Sequence, residues 1–103
     1  MNSRPSPKLK LLSHFAEVAK ALAHPVRLEL LEALAQGERN VESLAQACGQ
    51  PIANTSHHLK VLRLSGLAAS RKEGLQVIYS LADDAIPGVI ASIRGLAQRQ
   101  SVE

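Results

Sequence analysis

Between Pro51 and Gly66 the chain reads PIANTSHHLKVLRLSG, and Asn54, Thr55, Ser56, His57 and Lys60 crowd polar side chains into that stretch. These are residue types that recognise an anionic polymer carrying bases. An asparagine amide can meet an adenine edge with two hydrogen bonds, hydroxyls can bond bases or phosphates, and lysine suits phosphate. On a helix with Leu59 at the centre of its buried side, about 100° per residue carries Ile52, Leu62 and the stem of Arg63 to that side. Asn54 and His57 then project oppositely, flanked by Ala53 and Lys60. The run from Asn54 to His57 is therefore the expected base-reading part. Further on, Arg71 and Lys72 are expected at the tip of a hairpin, where they would reach neighbouring backbone or the minor groove. Glu73 at the same tip argues against tight phosphate packing there.

The charge distribution agrees. The net charge is +3, and the stretch from Gln50 to Leu81 carries all of it: Lys60, Arg63, Arg71 and Lys72 against Glu73. The rest balances, with eight basic and eight acidic residues. A localised excess of this kind is an electrostatic footprint for a polyanion, although a merely solvated basic surface has the same composition.

Other chemistry is sparse. Cys48 is the one cysteine. It cannot form an intramolecular disulfide, and its default reading is a buried structural thiol, with a thiol switch or a metal ligand as the sharper alternatives. Adjacent helix positions point about 100° apart, so His57 and His58 cannot easily grip one ion. His57 is read as a DNA contact, His58 as a packing or capping residue, and His14 and His24 as isolated structural residues. There is no glycine-rich phosphate loop, no convincing Ser/His/Asp set, and no paired carboxylates beyond Asp83 and Asp84. The chain is expected to be no enzyme, to need no cofactor and to bind no metal.

The elements that must position these residues follow from periodicity and punctuation. Residues 1–7 (MNSRPSP) read as a disordered lead. Leu11, Leu12, Phe15, Val18, Ala19 and Leu22 form the stripe of a first helix from Lys8 to Leu22, which Ala23-His24-Pro25 ends. Pro25 opens a second helix to about Gln36, with Val26, Leu28, Leu30, Leu31 and Leu34 apolar and Gly37 as its stop. Asn40 caps a third, through Val41, Leu44, Ala45 and Cys48, which Gly49 closes. Pro51 opens a fourth, which ends at Ser65 before Gly66. Leu67–Arg71 and Gln76–Leu81 read as a hairpin joined by Lys72-Glu73-Gly74. Asp83 or Asp84 caps a last helix bearing Ile86, Val89, Ile90, Ile93, Leu96 and Ala97. The expected fold is mainly α with a small β-hairpin, a winged helix-turn-helix in the order α-α-α-α-β-β-α, occupying residues 8–103.

The run NVESLAQACGQPIANTSHHLKVLRLSGLAASRKEGLQVIYSL, with AHPVRLELLEAL before it, resembles the ArsR/SmtB repressors. The likeness covers about Ala21 to Ala82 and rests on the HPxRLxLL opening, the SxHLxxLxxxGL helix and the wing followed by VxYxL. It is strongest to members in which a rhodanese domain follows the repressor domain; these 103 residues stop before any such domain. The resemblance implies a homodimer that represses transcription from an inverted repeat of double-stranded DNA and is released by an inducer. It also implies that Asn54, Thr55, Ser56, His57 and Lys60 recognise DNA, with Arg71 and Lys72 in the wing. The family's sensor sites are missing. Val41-Glu42-Ser43-Leu44 holds no Cys-x-Cys pair, the last helix has no histidine, and one cysteine stands where persulfide sensors use two. No residue names the inducer.

Size bounds the assembly. In 103 residues, 46% hydrophobic and with only Phe15 and Tyr79 aromatic, there is room for one domain with a modest core of Ala, Leu, Val and Ile. A domain this thin cannot bury both terminal helices alone. Leu11, Leu12, Phe15 and Val18 of the first, with Val89, Ile90, Ile93 and Leu96 of the last, are therefore the expected dimer face. No apolar run approaches the roughly 18 residues of a membrane span, and MNSRPSPKLKLL lacks a signal peptide's apolar core, so a cytoplasmic location is expected. Two alternatives stay open: a winged-helix protein-interaction module that never reads DNA, and a DNA-binding regulator switched by oxidation of Cys48.

Overall fold

The computed structural model describes residues 6–100. Five helices and three short strands follow in the order α1 (Pro7–Leu22), α2 (Pro25–Ala35), β1 (Arg39–Asn40), α3 (Val41–Cys48), α4 (Ile52–Leu64), β2 (Ala68–Glu73), β3 (Gln76–Leu81) and α5 (Ile86–Gln100). The order of helices and hairpin is the expected one, with β1 added.

Each boundary has a local cause. The Ser6 hydroxyl accepts from the Leu9 N–H at 3.1 Å and Pro7 occupies the first turn, so α1 starts earlier than expected. Ser6 thus caps the helix and Pro7 opens it; residues 1–5 of the expected lead lie outside the described residues. His24 caps α2, its Nδ1 accepting from the Val26 N–H at 3.2 Å. Asn40 caps α3 through a 2.8 Å bond from the Ser43 N–H. Gly49, at φ 62°, turns the chain out of α3 in the left-handed conformation that favours glycine. The Asp83 carboxylate accepts from the Ala85 N–H at 2.8 Å just before α5, whose second residue is Pro87.

The core lies where α2, α3 and α4 meet. Leu30, Leu31, Leu34, Leu44, Leu59 and Leu62 are each no more than 3% exposed. Tyr79, Ala68 and Leu67 close it from the sheet side, and Ile86 and Ile90 from α5. The sheet is antiparallel in the order β1-β3-β2. β1 is too short to leave a periodic signal; it pairs Arg39 with Tyr79 and Asn40 with Ile78. Asn40 therefore ends a strand and caps a helix at once.

One expectation of detail changes. The hairpin link is Gly74-Leu75, not Lys72-Glu73-Gly74, because β2 runs on to Glu73, opposite Gln76. Gly74 has φ 64°, the sign a two-residue turn with glycine first requires. In addition, α1 barely joins the core. Of its residues only Ala21 is buried and Leu22 half-buried; Leu11 and Phe15 are 68% and 69% exposed. No helix among the described residues is long and apolar enough to cross a membrane.

Candidate nucleic-acid interface

α3 and α4 are joined by Gly49-Gln50-Pro51, and this tight link sets the second helix across the first. Gly49 and Gln50 send their N–H groups back to the carbonyls of Gln46 and Ala45, at 3.2 and 3.0 Å. α4 thus starts from a fixed turn. Its inner face is Thr55, His58, Leu59 and Leu62.

That face is rotated from the expected one: Thr55 turns inward, while Ile52 and the stem of Arg63 turn outward. Thr55 is fully buried, and its hydroxyl donates to the Pro51 carbonyl at 2.9 Å. A side chain so engaged cannot reach a base. Ile52, expected on the buried side, is 54% exposed, because it opens the first turn and projects beyond the core. Ser56, His57, Lys60 and Arg63 form the outward face with Ala53. Asn54 stands at its edge, half-buried, and donates to the Gln50 Oε1 at 2.8 Å. Gln50 went unremarked in the sequence. Its signal is the spacing of four from Asn54, which lets a residue in the turn orient an amide on the helix.

The wing is built differently. Side chains alternate across a strand, so Arg71 and Glu73 share one face of β2 and Lys72 takes the other. Arg71 is not free at a tip. It donates to both Glu38 carboxylate oxygens at 2.8 and 2.7 Å, and to Glu73 Oε2 at 3.2 and 2.8 Å. The hydrogen bond from Arg71 holds the Glu38 carboxyl below its ordinary value, and the carboxylates, Glu38 foremost, push the Arg71 guanidinium up. The tip proper is Gly74 and the fully exposed Leu75.

Behind α4 the histidines gather. His58 is 7% exposed, and its ring lies 4.3 Å from that of His24 and 5.4 Å from that of His57. His24 is therefore not isolated. Burial lowers the His58 pKa first, and the neighbouring His24, Arg27 and His57 lower it further. Cys48 is buried; burial pushes its thiol up, Glu29 adds to this and Arg39 opposes it. Among the described residues no group of three or more His, Cys, Asp or Glu side chains is placed to hold a metal ion.

On the far side, α1 and α5 face each other across an apolar cleft of about 610 Å³ lined by Leu11, Phe15, Val18, Leu22, Val89 and Ile93 among others. Val89, Ile93 and Leu96 are 45%, 40% and 54% exposed, and Leu12 is 46% exposed. Ile90, expected on the same face, is 7% exposed and packs into its own core, since it points toward α2. α5 is also tied to α2 by an ion pair between Arg94 and Glu32.

A helix-turn-helix domain family matches residues 22–71. The chain is 40% identical over 100 residues to the HTH-type transcriptional regulator Rv0081 of Mycobacterium tuberculosis, covering 96% of this chain and 83% of that one. It is similar along its whole length to the homodimeric winged helix-turn-helix DNA-binding domain Mb0332 of Mycobacterium bovis, a possible ArsR-family regulator. The TM-score is 0.85 at 35% identity, covering 99% and 94% of the two chains. The chain belongs to the ArsR/SmtB family of transcriptional regulators. With the regulator Rv0324 of M. tuberculosis it shares 39% identity over 90 residues, and there it spans 40% of the relative's length. The ArsR/SmtB membership places the winged helix-turn-helix, the fold read from the sequence, in a class of DNA-binding regulators.

Proposed function

We propose that the chain is a homodimeric repressor that binds an inverted-repeat DNA operator, with α4 in the major groove of each half-site. The observation that carries this reading is the outward face of α4. Ser56, His57 and Lys60 stand exposed with Asn54 at their edge, on a helix braced by α3, and none of them meets a carboxylate among the described residues. Asn54, Ser56 and His57 read base edges, and Lys60 meets phosphate. Thr55 serves from inside, holding the first turn of α4. In the wing, Lys72 is the cation that faces DNA, and Arg71 anchors β2 to Glu38.

The dimer face is Leu11, Leu12, Phe15 and Val18 of α1 with Val89, Ile93 and Leu96 of α5. Exposed apolar side chains in this density on adjoining helices mark an interaction surface. A second copy related by a two-fold axis covers it self-complementarily and sets two α4 helices against a palindrome. The homodimeric Mb0332 domain supports the same assembly.

Fluorescence anisotropy against a library of duplexes at two salt concentrations, with the mass measured in parallel, tests the reading. A dimer that binds one palindromic site tightly and in a salt-dependent manner is expected. Equally weak binding to every duplex would overturn it in favour of a protein-interaction module. Burial of Cys48 and its raised pKa speak against a thiolate switch.

A further inference from the structure

α1 projects from its protomer, yet its direction relative to α4 decides how far apart two reading helices stand in a dimer. Little holds that direction. Among the described residues, the only side-chain hydrogen bonds that join α1 to another element come from Arg27, in the first turn of α2. Its Nε donates to the Ala21 carbonyl at 2.6 Å and its Nη2 to the Lys20 carbonyl at 3.3 Å. Both carbonyls belong to the last turn of α1, where intrahelical donors run out; that of Lys20 also accepts from the Ala23 N–H at 3.2 Å, whereas that of Ala21 takes its donor from Arg27. The third nitrogen of the same guanidinium, Nη1, lies 3.3 Å from His58 Nδ1. His58 is on the inner face of α4, and His24, the cap of α2, packs its ring against it. One planar fork thus spans the end of the dimer arm and the back of the reading helix, with α2 as its base.

We propose that Arg27 is a positioning residue for operator recognition: by clasping α1 to His58 it sets the angle between dimer arm and α4, and so the half-site spacing the dimer accepts. This rests on the reading of α4 as the DNA-reading helix and of α1 as part of the dimer face. The geometry is demanding, because half-sites sit one helical turn apart, about 34–36 Å, and one added base pair rotates a half-site by roughly a tenth of a turn. Lysine at this position keeps the charge but cannot serve two carbonyls and a ring together.

The test uses the full chain and the operator that wild type selects, with the half-site spacing changed by one and two base pairs in either direction. Arg27→Gln is compared with Leu81→Ala, a substitution next to the core but away from the clasp, with melting and mass measured for both. Arg27→Gln is expected to lose about tenfold in affinity at the best spacing and little at the others, which flattens the spacing profile. Leu81→Ala is expected to keep the wild-type profile at similar loss of stability. If Arg27→Gln fails to fold, Arg27→Lys carries the test, and a broadened profile is expected of it too. A variant that keeps the wild-type spacing preference, or that falls equally on every duplex as Leu81→Ala does, overturns the proposal. A wild type with no preferred duplex overturns the DNA-reading assignment itself, which separates the two failures.

Discussion

α4 and the wing carry the same basic side chains in sequence, yet the fold leaves them in opposite electrostatic states. On α4, Lys60 and Arg63 are exposed, and among the described residues neither forms an ion pair. In the wing, Arg71 spends its guanidinium on Glu38 and Glu73, while Lys72, on the other face of β2, forms no ion pair among the described residues. Charge counted along a chain is therefore not charge offered to a ligand. Arg71 acts here as a brace between β2 and the segment before β1, and the cations of α4 stay outside the ion pairs of the described residues.

The contrast can be broken most sharply on the helix. His57→Ala or Asn54→Ala should cost about 1–3 kcal/mol at the cognate operator and blur base preference, as read by titrating single-base variants of the site. An unchanged preference would move the reading surface off this face. Thr55→Val should leave that preference intact, since its hydroxyl bonds Pro51 and not a base; a shifted preference would restore Thr55 to the interface.

Acidification comes next. The folded state keeps His58 neutral, so its pKa lies below the ordinary 6.5. The unfolded chain then binds more protons in the window beneath that value, and stability, complete above it, declines as the pH falls through the window. Facing His58 are His24 and Arg27 from α2 and His57 from α4; Glu17 and Lys20 of α1 line the adjoining cleft. The melting temperature should drop between pH 7.5 and 5.5, and His58→Gln should flatten that dependence.

Two smaller effects bear on the charges. Lys60→Ala should weaken all duplexes about equally and lower the salt slope by about 1. The wing should behave the other way. Arg71→Ala should change the slope little, because its charge is already matched. Glu38→Gln should raise affinity a few-fold and steepen the slope as Arg71 turns toward phosphate. A slope that falls by one unit in Arg71→Ala would mean that DNA displaces the carboxylates.

Sequence reading succeeded where a local rule governs. Pro25, Pro51, Gly49 and Gly66 punctuate helices by backbone geometry alone, so the helix order and the helix-turn-helix link were legible. It failed where the partner is distant. Nothing near Arg71 announces Glu38, 33 residues earlier, and nothing near His24 announces the ring of His58. The facing of α4 was missed for a related reason. A periodic pattern centred on Leu59 treats Ile52 and Thr55 alike, and only the packing of α2 and α3 against the first turn tells them apart. β1 escaped because two residues cannot show an alternation.

The exposure of α1 has a physiological consequence. In the proposed dimer, this helix of 16 residues, little buried in its own protomer, would gain order when a second copy covers it. The protein's own abundance then sets how much of it is competent, through mass action. Dilution at cell division lowers the amount of competent dimer more steeply than the total, and synthesis restores it with the same steepness. A gene under such control responds more steeply than in proportion to regulator number.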